Sequence, residues 1–104
     1  FANKYLDNGK VVVSFFGEGA INEGNFWESI NVACVKKLPV VFVCENNDFA
    51  VHTHKSILNG FKSITEIISN FEIDVYEENT TDVEKMYEIS KKTNNCQHPK
   101  CSRF

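Results

Sequence analysis

A carboxylate between two glycines, directly after an apolar run, is the feature of this chain most suited to chemistry. Gly17-Glu18-Gly19-Ala20 follows KVVVSFF at residues 10–16, and Glu45-Asn46-Asn47-Asp48 follows a second apolar run, VVFVC, at residues 40–44. In open α/β sheets, ligands bind outside the carboxyl ends of the strands, so two such loops are expected at one sheet edge. Glycines at 17 and 19 allow tight turns and close approach of a ligand to the main chain. A helix starting just beyond them would aim its free N–H groups at that edge, which favours an anion such as a phosphate. Glu18 and a loop amide are oxygen donors for a hard divalent cation. Magnesium takes one or two protein oxygens together with phosphate oxygens and water.

The surrounding elements must hold those loops in place. Each apolar run has the unbroken character of a strand buried on both faces, as in parallel sheets. Between them, Phe26, Ile30, Ala33 and Cys34 recur at helical spacing over residues 22–37, and Leu38-Pro39 ends the helix. This is a β-α-β unit. The stretch from Glu45 to Lys55 is polar and loop-like. Ser63-Ile64-Thr65-Glu66 has capping-box spacing and predicts a short helix through Phe71. A third strand is expected over residues 72–77. A second capping box, Thr81-Asp82-Val83-Glu84, opens a helix with Val83, Met86, Tyr87 and Ser90 on one face. The tail from Asn94 starts polar and has the composition to finish as a short strand. Strand–helix alternation of this kind predicts an α/β layer with a parallel sheet, incomplete at three or four strands with flanking helices.

The totals narrow the class. The 104 residues are 42% hydrophobic and 24% charged, with a net charge of −3, so the chain is at most one domain. The acidic balance argues against an electrostatic nucleic-acid binder. No apolar run is long enough to cross a bilayer, and no signal-peptide pattern opens the chain. With Phe1 first and Met86 the sole methionine, the expectation is a processed chain or a piece of something larger. Cys34 and Cys44 lie in apolar runs as small hydrophobes, and a reduced, cytosol-like compartment fits all four cysteines.

Gly17-Glu18-Gly19 followed by Asn46-Asn47 resembles the thiamine diphosphate motif written G-D-G…N-N. The wider pattern G-E-G-A-x-N-E-G-x-F-x-E-S-x-N-x-A, then K-L-P-V-V-F-V-C-E-N-N-x-F-A, resembles the α subunit of the E1 component of 2-oxo acid dehydrogenases. The resemblance is strongest over residues 11–54. It implies that residues 1–104 are part of a thiamine diphosphate-binding domain. Glu18 would stand where most members carry a magnesium-coordinating Asp and branched-chain members carry Glu. Asn47 matches the amide ligand, and Phe49 occupies the place of a residue whose backbone carbonyl completes the metal's protein ligands. Gly17, Gly19 and Ala20 correspond to residues lining the diphosphate. The implied cofactors are thiamine diphosphate and Mg2+. The implied reaction is oxidative decarboxylation of a 2-oxo acid, with acyl transfer to lipoamide.

The same resemblance implies an E1 β-type chain or domain supplying the activating glutamate, and a lipoyl-bearing E2 partner. It implies no nucleic acid, no membrane, and a bacterial cytoplasm or mitochondrial matrix. No catalytic side chain is assigned within this chain, which is expected to be inactive in isolation. The alternative reading is a noncatalytic assembly module that retains the fold.

Other constellations have plainer readings. His52 and His54 share the spacing of a metal pair but sit in a polar loop, and Cys96, His98 and Cys101 want a fourth ligand for zinc. Phe26, Trp27 and Ile30 read as core, with the exposed part of Trp27 a candidate interface anchor. Lys36-Lys37 complements a helix C-terminus, and Glu77-Glu78 reads as a solvated pair.

Overall fold

The computed structural model describes every residue except 48, 51–52, 95–99 and 104. Two of the expected strands are β1 (Val12–Gly17) and β2 (Val40–Glu45), joined through helix α2 (Gly24–Lys36) and paired in parallel from Val12↔Val40 to Gly17↔Glu45. A short α1 (Ala2–Tyr5), not foreseen from the sequence, precedes them. After β2 come two-residue strands β3 (Phe49–Ala50) and β4 (Thr53–His54), which pair antiparallel inside the stretch expected to be loop. Then follow α3 (Lys55–Leu58), α4 (Ile64–Ile68), β5 (Asp74–Glu77), α5 (Val83–Asn94) and β6 (Lys100–Arg103). The four-stranded sheet runs β1-β2-β6-β5, all parallel, so the last strand in sequence lies between β2 and β5.

One face of the sheet carries the core. Phe26, Ile30, Ala33 and Cys34 form a single stripe on α2 and pack with Phe42 and Cys44 of β2, and with Ile64 and Ile68 of α4. Ile30 is fully buried. Phe16 and Trp27 flank this cluster, with Phe26 5.2 Å from Phe16 and 5.1 Å from Trp27 between ring centroids. Trp27 also stacks on Phe71 at 6.5 Å, which places part of the ring in the core.

β2 is buried on both faces as expected, because Val41 and Val43 are covered on the side away from α2. β1 departs from the expectation. Val12, Val13 and Phe15 are exposed, and Phe15 retains 67% of its accessible surface. Val13 and Phe15 lie in register with Val41 and Val43, so the cover over that face reaches β2 but stops short of β1. As an edge strand, β1 has a neighbour on one side only.

Local chemistry sets the helix ends. α2 ends at Lys36 because Lys37 turns left-handed at φ 48°. The N–H of Lys37 then donates to the Cys34 carbonyl and that of Leu38 to the Ala33 carbonyl, a Schellman closure. Ser63 caps α4 as expected, its Oγ accepting from the Glu66 N–H at 3.3 Å, although the helix stops at Ile68 rather than Phe71. The Thr81 cap is not formed. Asp82 takes that position instead, its carboxylate accepting from the Glu84 N–H at 2.9 Å. The inward side of α5 is likewise shifted. Thr93 is buried and Met86 and Ile89 half-buried, while Val83 and Tyr87 face solvent, with Lys91 lying 4.7 Å from the Tyr87 ring centre.

Two outcomes follow from this packing. Lys37→Gly relieves the left-handed backbone of a β-carbon-bearing residue, and is expected to stabilise the protein by about 0.5–1 kcal/mol in denaturant titration. Burial, reinforced by the charge of Glu72, raises the Cys34 thiol above its ordinary range. The unfolded chain then loses that proton first, so stability is unaffected at neutral pH and falls as pH rises through the free-thiol value of about 8.5. In thermal unfolding across that range, Cys34→Ala should show a shallower decline than the parent.

Candidate functional site

The parallel register brings the two loops together. Gly17 and Glu45 are partners at the carboxyl ends of β1 and β2, so the residues that follow each leave the sheet at one edge. Glu18 then starts a 3₁₀ turn, Glu18–Asn22, where a polar loop was expected, and α2 begins at Gly24 rather than at Asn22. Ile21 explains the turn. It is 3% exposed and joins the core beneath, and winding the chain around that anchor carries Glu18 inward.

Glu18 is 6% exposed, which is rare for a carboxylate. Its Oε2 accepts from the backbone N–H of Asn47 at 3.2 Å, joining the β1 loop directly to the β2 loop. Its Oε1 is buried and has no hydrogen-bond partner. A buried polar atom left unpaired costs about 1–3 kcal/mol, and more when charged, so the unmatched carboxylate oxygen makes Glu18 the candidate contact for an ion, a ligand or a water.

Glu18 also lines a cleft of about 30 Å³, together with Ile21, Asn46, Asn59, Lys62 and neighbouring apolar side chains. Room of that order suits a single ion or water. The 3₁₀ turn is also held at its far end, where Asn22 Nδ2 donates to Asn59 Oδ1 at 3.1 Å. β3, which begins at Phe49, packs against the same turn.

The glycines act differently from the expectation. Gly17 has φ −83° and ψ 160°, ordinary extended backbone, and among the described residues the one left-handed glycine is Gly9. A β-carbon at Gly17 would meet nothing within 4 Å. Gly17 therefore leaves open space beside the site rather than enabling a turn. Gly19 and Ala20 are half-buried within the turn, and the Ala20 carbonyl accepts from the Glu23 N–H.

Glu18, Gly17, Gly19, Ala20 and Asn47 thus sit at one sheet edge, with the backbone of Phe49 close by. Asn59 and Lys62 were missed, because they reach the cleft from the α3–α4 connection. Their only sequence signal is the Asn59-Gly60 turn pair. Among the histidines, His54 is exposed and its Nδ1 lies 2.9 Å from Ser56 Oγ, whereas His52 falls outside the described residues. Cys96 and His98 fall outside them too, while Cys101 lies in β6. Among the described residues no three His, Cys, Asp or Glu side chains gather to hold a metal, and no helix is long and apolar enough to cross a membrane.

Residues 1–98 match the family model described as the dehydrogenase E1 component. The chain belongs to that family. It is 37% identical over 83 residues to the pyruvate dehydrogenase E1 component subunit alpha of Rhizobium meliloti, a match covering 80% of this chain and 24% of that one. To the mitochondrial subunit alpha of Dictyostelium discoideum it is 45% identical over 53 residues, covering 51% of this chain and 14% of the relative. The chain spans a quarter or less of the length of these two curated relatives.

Among solved structures, the transketolase of Campylobacter jejuni superposes with TM-score 0.81 at 16% identity, covering 98% of this chain and 17% of that one. A candidate thiamin diphosphate-dependent enzyme from Mycobacterium smegmatis superposes with TM-score 0.74 at 20% identity, covering 97% and 19%. The fold is the parallel-sheet thiamine diphosphate-binding fold, present here in part. As an E1-family chain, the protein places the Gly17-Glu18-Gly19 and Asn46-Asn47 segments together at the carboxyl ends of β1 and β2.

The Asn22–Asn59 bond gives a direct check on this geometry. Asn59→Ala should speed amide exchange across residues 18–22 by about fivefold while leaving β2 protected, the loss expected for one hydrogen bond of about 1 kcal/mol.

Proposed function

We propose that this chain forms the metal–diphosphate half of a thiamine diphosphate site in an E1 α-type subunit. The observation that carries the reading is the buried Glu18 carboxylate, one oxygen fixed by the Asn47 N–H and the other without a partner, beside an ion-sized cleft that Glu18 lines. That oxygen fits a hard divalent cation in both donor type and burial. Glu18, the Asn47 amide and the Phe49 backbone carbonyl would hold magnesium. Gly17, Gly19 and Ala20 would line the diphosphate, and the absent β-carbon at Gly17 leaves room for it.

The proposed reaction is oxidative decarboxylation of a 2-oxo acid with acyl transfer to lipoamide, the E1 component working with a β-type chain and a lipoyl-bearing partner. Thiamine diphosphate, when bound, supplies the carbon nucleophile and the electron sink for that chemistry. The residues of this chain bind and orient. The core beneath Ile21 fixes the 3₁₀ turn, and the turn keeps Glu18 buried with one oxygen open to a ligand. The pyruvate dehydrogenase names of the relatives make pyruvate the first substrate to try.

Magnesium-dependent uptake of thiamine diphosphate by the native assembly, followed by calorimetry, tests the reading. Glu18→Ala and Asn47→Ala are each expected to weaken uptake by more than about 100-fold, beyond the 10–100-fold typical of outer-shell changes. Asn47→Ala keeps the backbone N–H that positions Glu18, so its loss would report the side-chain ligand. Unchanged affinity in both variants would refute the assignment.

A further inference from the structure

Lys62 shares the cleft with Glu18. Opposite charges on one small cleft would ordinarily form an ion pair, since a buried carboxylate gains most from a partner at hydrogen-bond distance. Here they do not. Glu18 Oε1 has no partner, and among the described residues no hydrogen bond or ion pair engages Lys62. Lys62 is exposed at the rim while Glu18 lies below, and its wall is tied to the Glu18 turn by the Asn22–Asn59 bond. Two opposite charges on one cleft, neither of them paired among the described residues, fit a ligand that itself carries a cation and an anion side by side.

We infer that Lys62 is an anion-binding residue of this site, donating to a phosphate oxygen of a metal-bound diphosphate while Glu18 takes the metal. The inference rests on the reading of Glu18 as a metal ligand. A lysine ammonium suits this position because it is a compact point charge on a flexible stem, able to reach a phosphate oxygen that needs no bidentate match. Its distance along the chain from both glycine and asparagine loops places it outside the motif, so it would add affinity for the anion without shaping the cation's ligand set.

Calorimetric titration of the native assembly with magnesium pyrophosphate, paired with Mn2+ binding alone followed by electron paramagnetic resonance, tests it. Lys62→Gln should weaken magnesium pyrophosphate by about 10–100-fold, the range for losing a charged hydrogen bond. Its affinity for Mn2+ alone should stay within about threefold of the parent, and Lys62→Arg should restore most of the anion affinity. Wild-type affinity for magnesium pyrophosphate in Lys62→Gln would overturn the inference. So would Mn2+ binding that tightens tenfold or more, since that result would make Lys62 the resting counter-ion of Glu18. Loss of Mn2+ binding in Glu18→Ala alongside an unaffected Lys62→Gln would sink the lysine and spare the metal site. Retention of Mn2+ binding in Glu18→Ala would sink the underlying reading as well.

Discussion

The structure is organised around one electrostatic constraint, a carboxylate held out of water with half of its hydrogen-bonding capacity unmet. Taking an ionised group into a protein interior costs several kcal/mol unless it is paired and hydrogen-bonded. Glu18 receives one backbone N–H, from Asn47, and nothing on its second oxygen. Such an arrangement persists only when the surroundings leave the side chain no exposed alternative. The Ile21 anchor, the parallel β1–β2 register and the Asn22–Asn59 bond together remove that alternative.

The packing explains why the arrangement is rigid at one end of the sheet and loose elsewhere. The stripe on α2 and the two isoleucines of α4 close over β2 and the inner face of β1, directly beneath the 3₁₀ turn. On the other face, cover extends to Val41 and Val43 but not to Val13 and Phe15. Parallel sheets in α/β proteins are ordinarily covered on both faces, and this chain spans about a quarter of its curated relatives' length. The edge that carries Glu18 thus rests on the buried cluster. A larger apolar groove of about 430 Å³, lined by Leu38, Val40 and Phe42, lies at the amino ends of the strands. Its carboxylate, Glu28, is exposed rather than buried.

Much of the fold was legible because its signals are local. The unbroken apolar runs read as strands, the 26-30-33-34 spacing as a helix face, and Ser63 as a cap, and each is present. The errors fall where two local options compete. Thr81 and Asp82 both offer a capping oxygen, and the structure uses Asp82. Val83 and Tyr87 have the spacing of a buried face, yet a helix period defines several overlapping stripes, and Met86, Ile89 and Thr93 turn inward. Runs of unbroken apolar residues also hide burial. VVVSFF and VVFVC look alike, but only the second lies inside the sheet.

By itself the sequence determined the candidate site residues, a glutamate between glycines and an asparagine pair after the next strand, and the family to which that pattern belongs. Residue type and short-range spacing suffice for this, because they decide strand, turn and donor set. Only the tertiary structure decided that β6 lies between β2 and β5, that the glycine at 17 leaves space rather than a turn, and that Asn59 and Lys62 wall the cleft. Those outcomes depend on contacts between segments far apart in the chain. Burial of Glu18 is the clearest case, since the atoms that enclose it come from the 3₁₀ turn, the β2 loop and the α3–α4 connection at once.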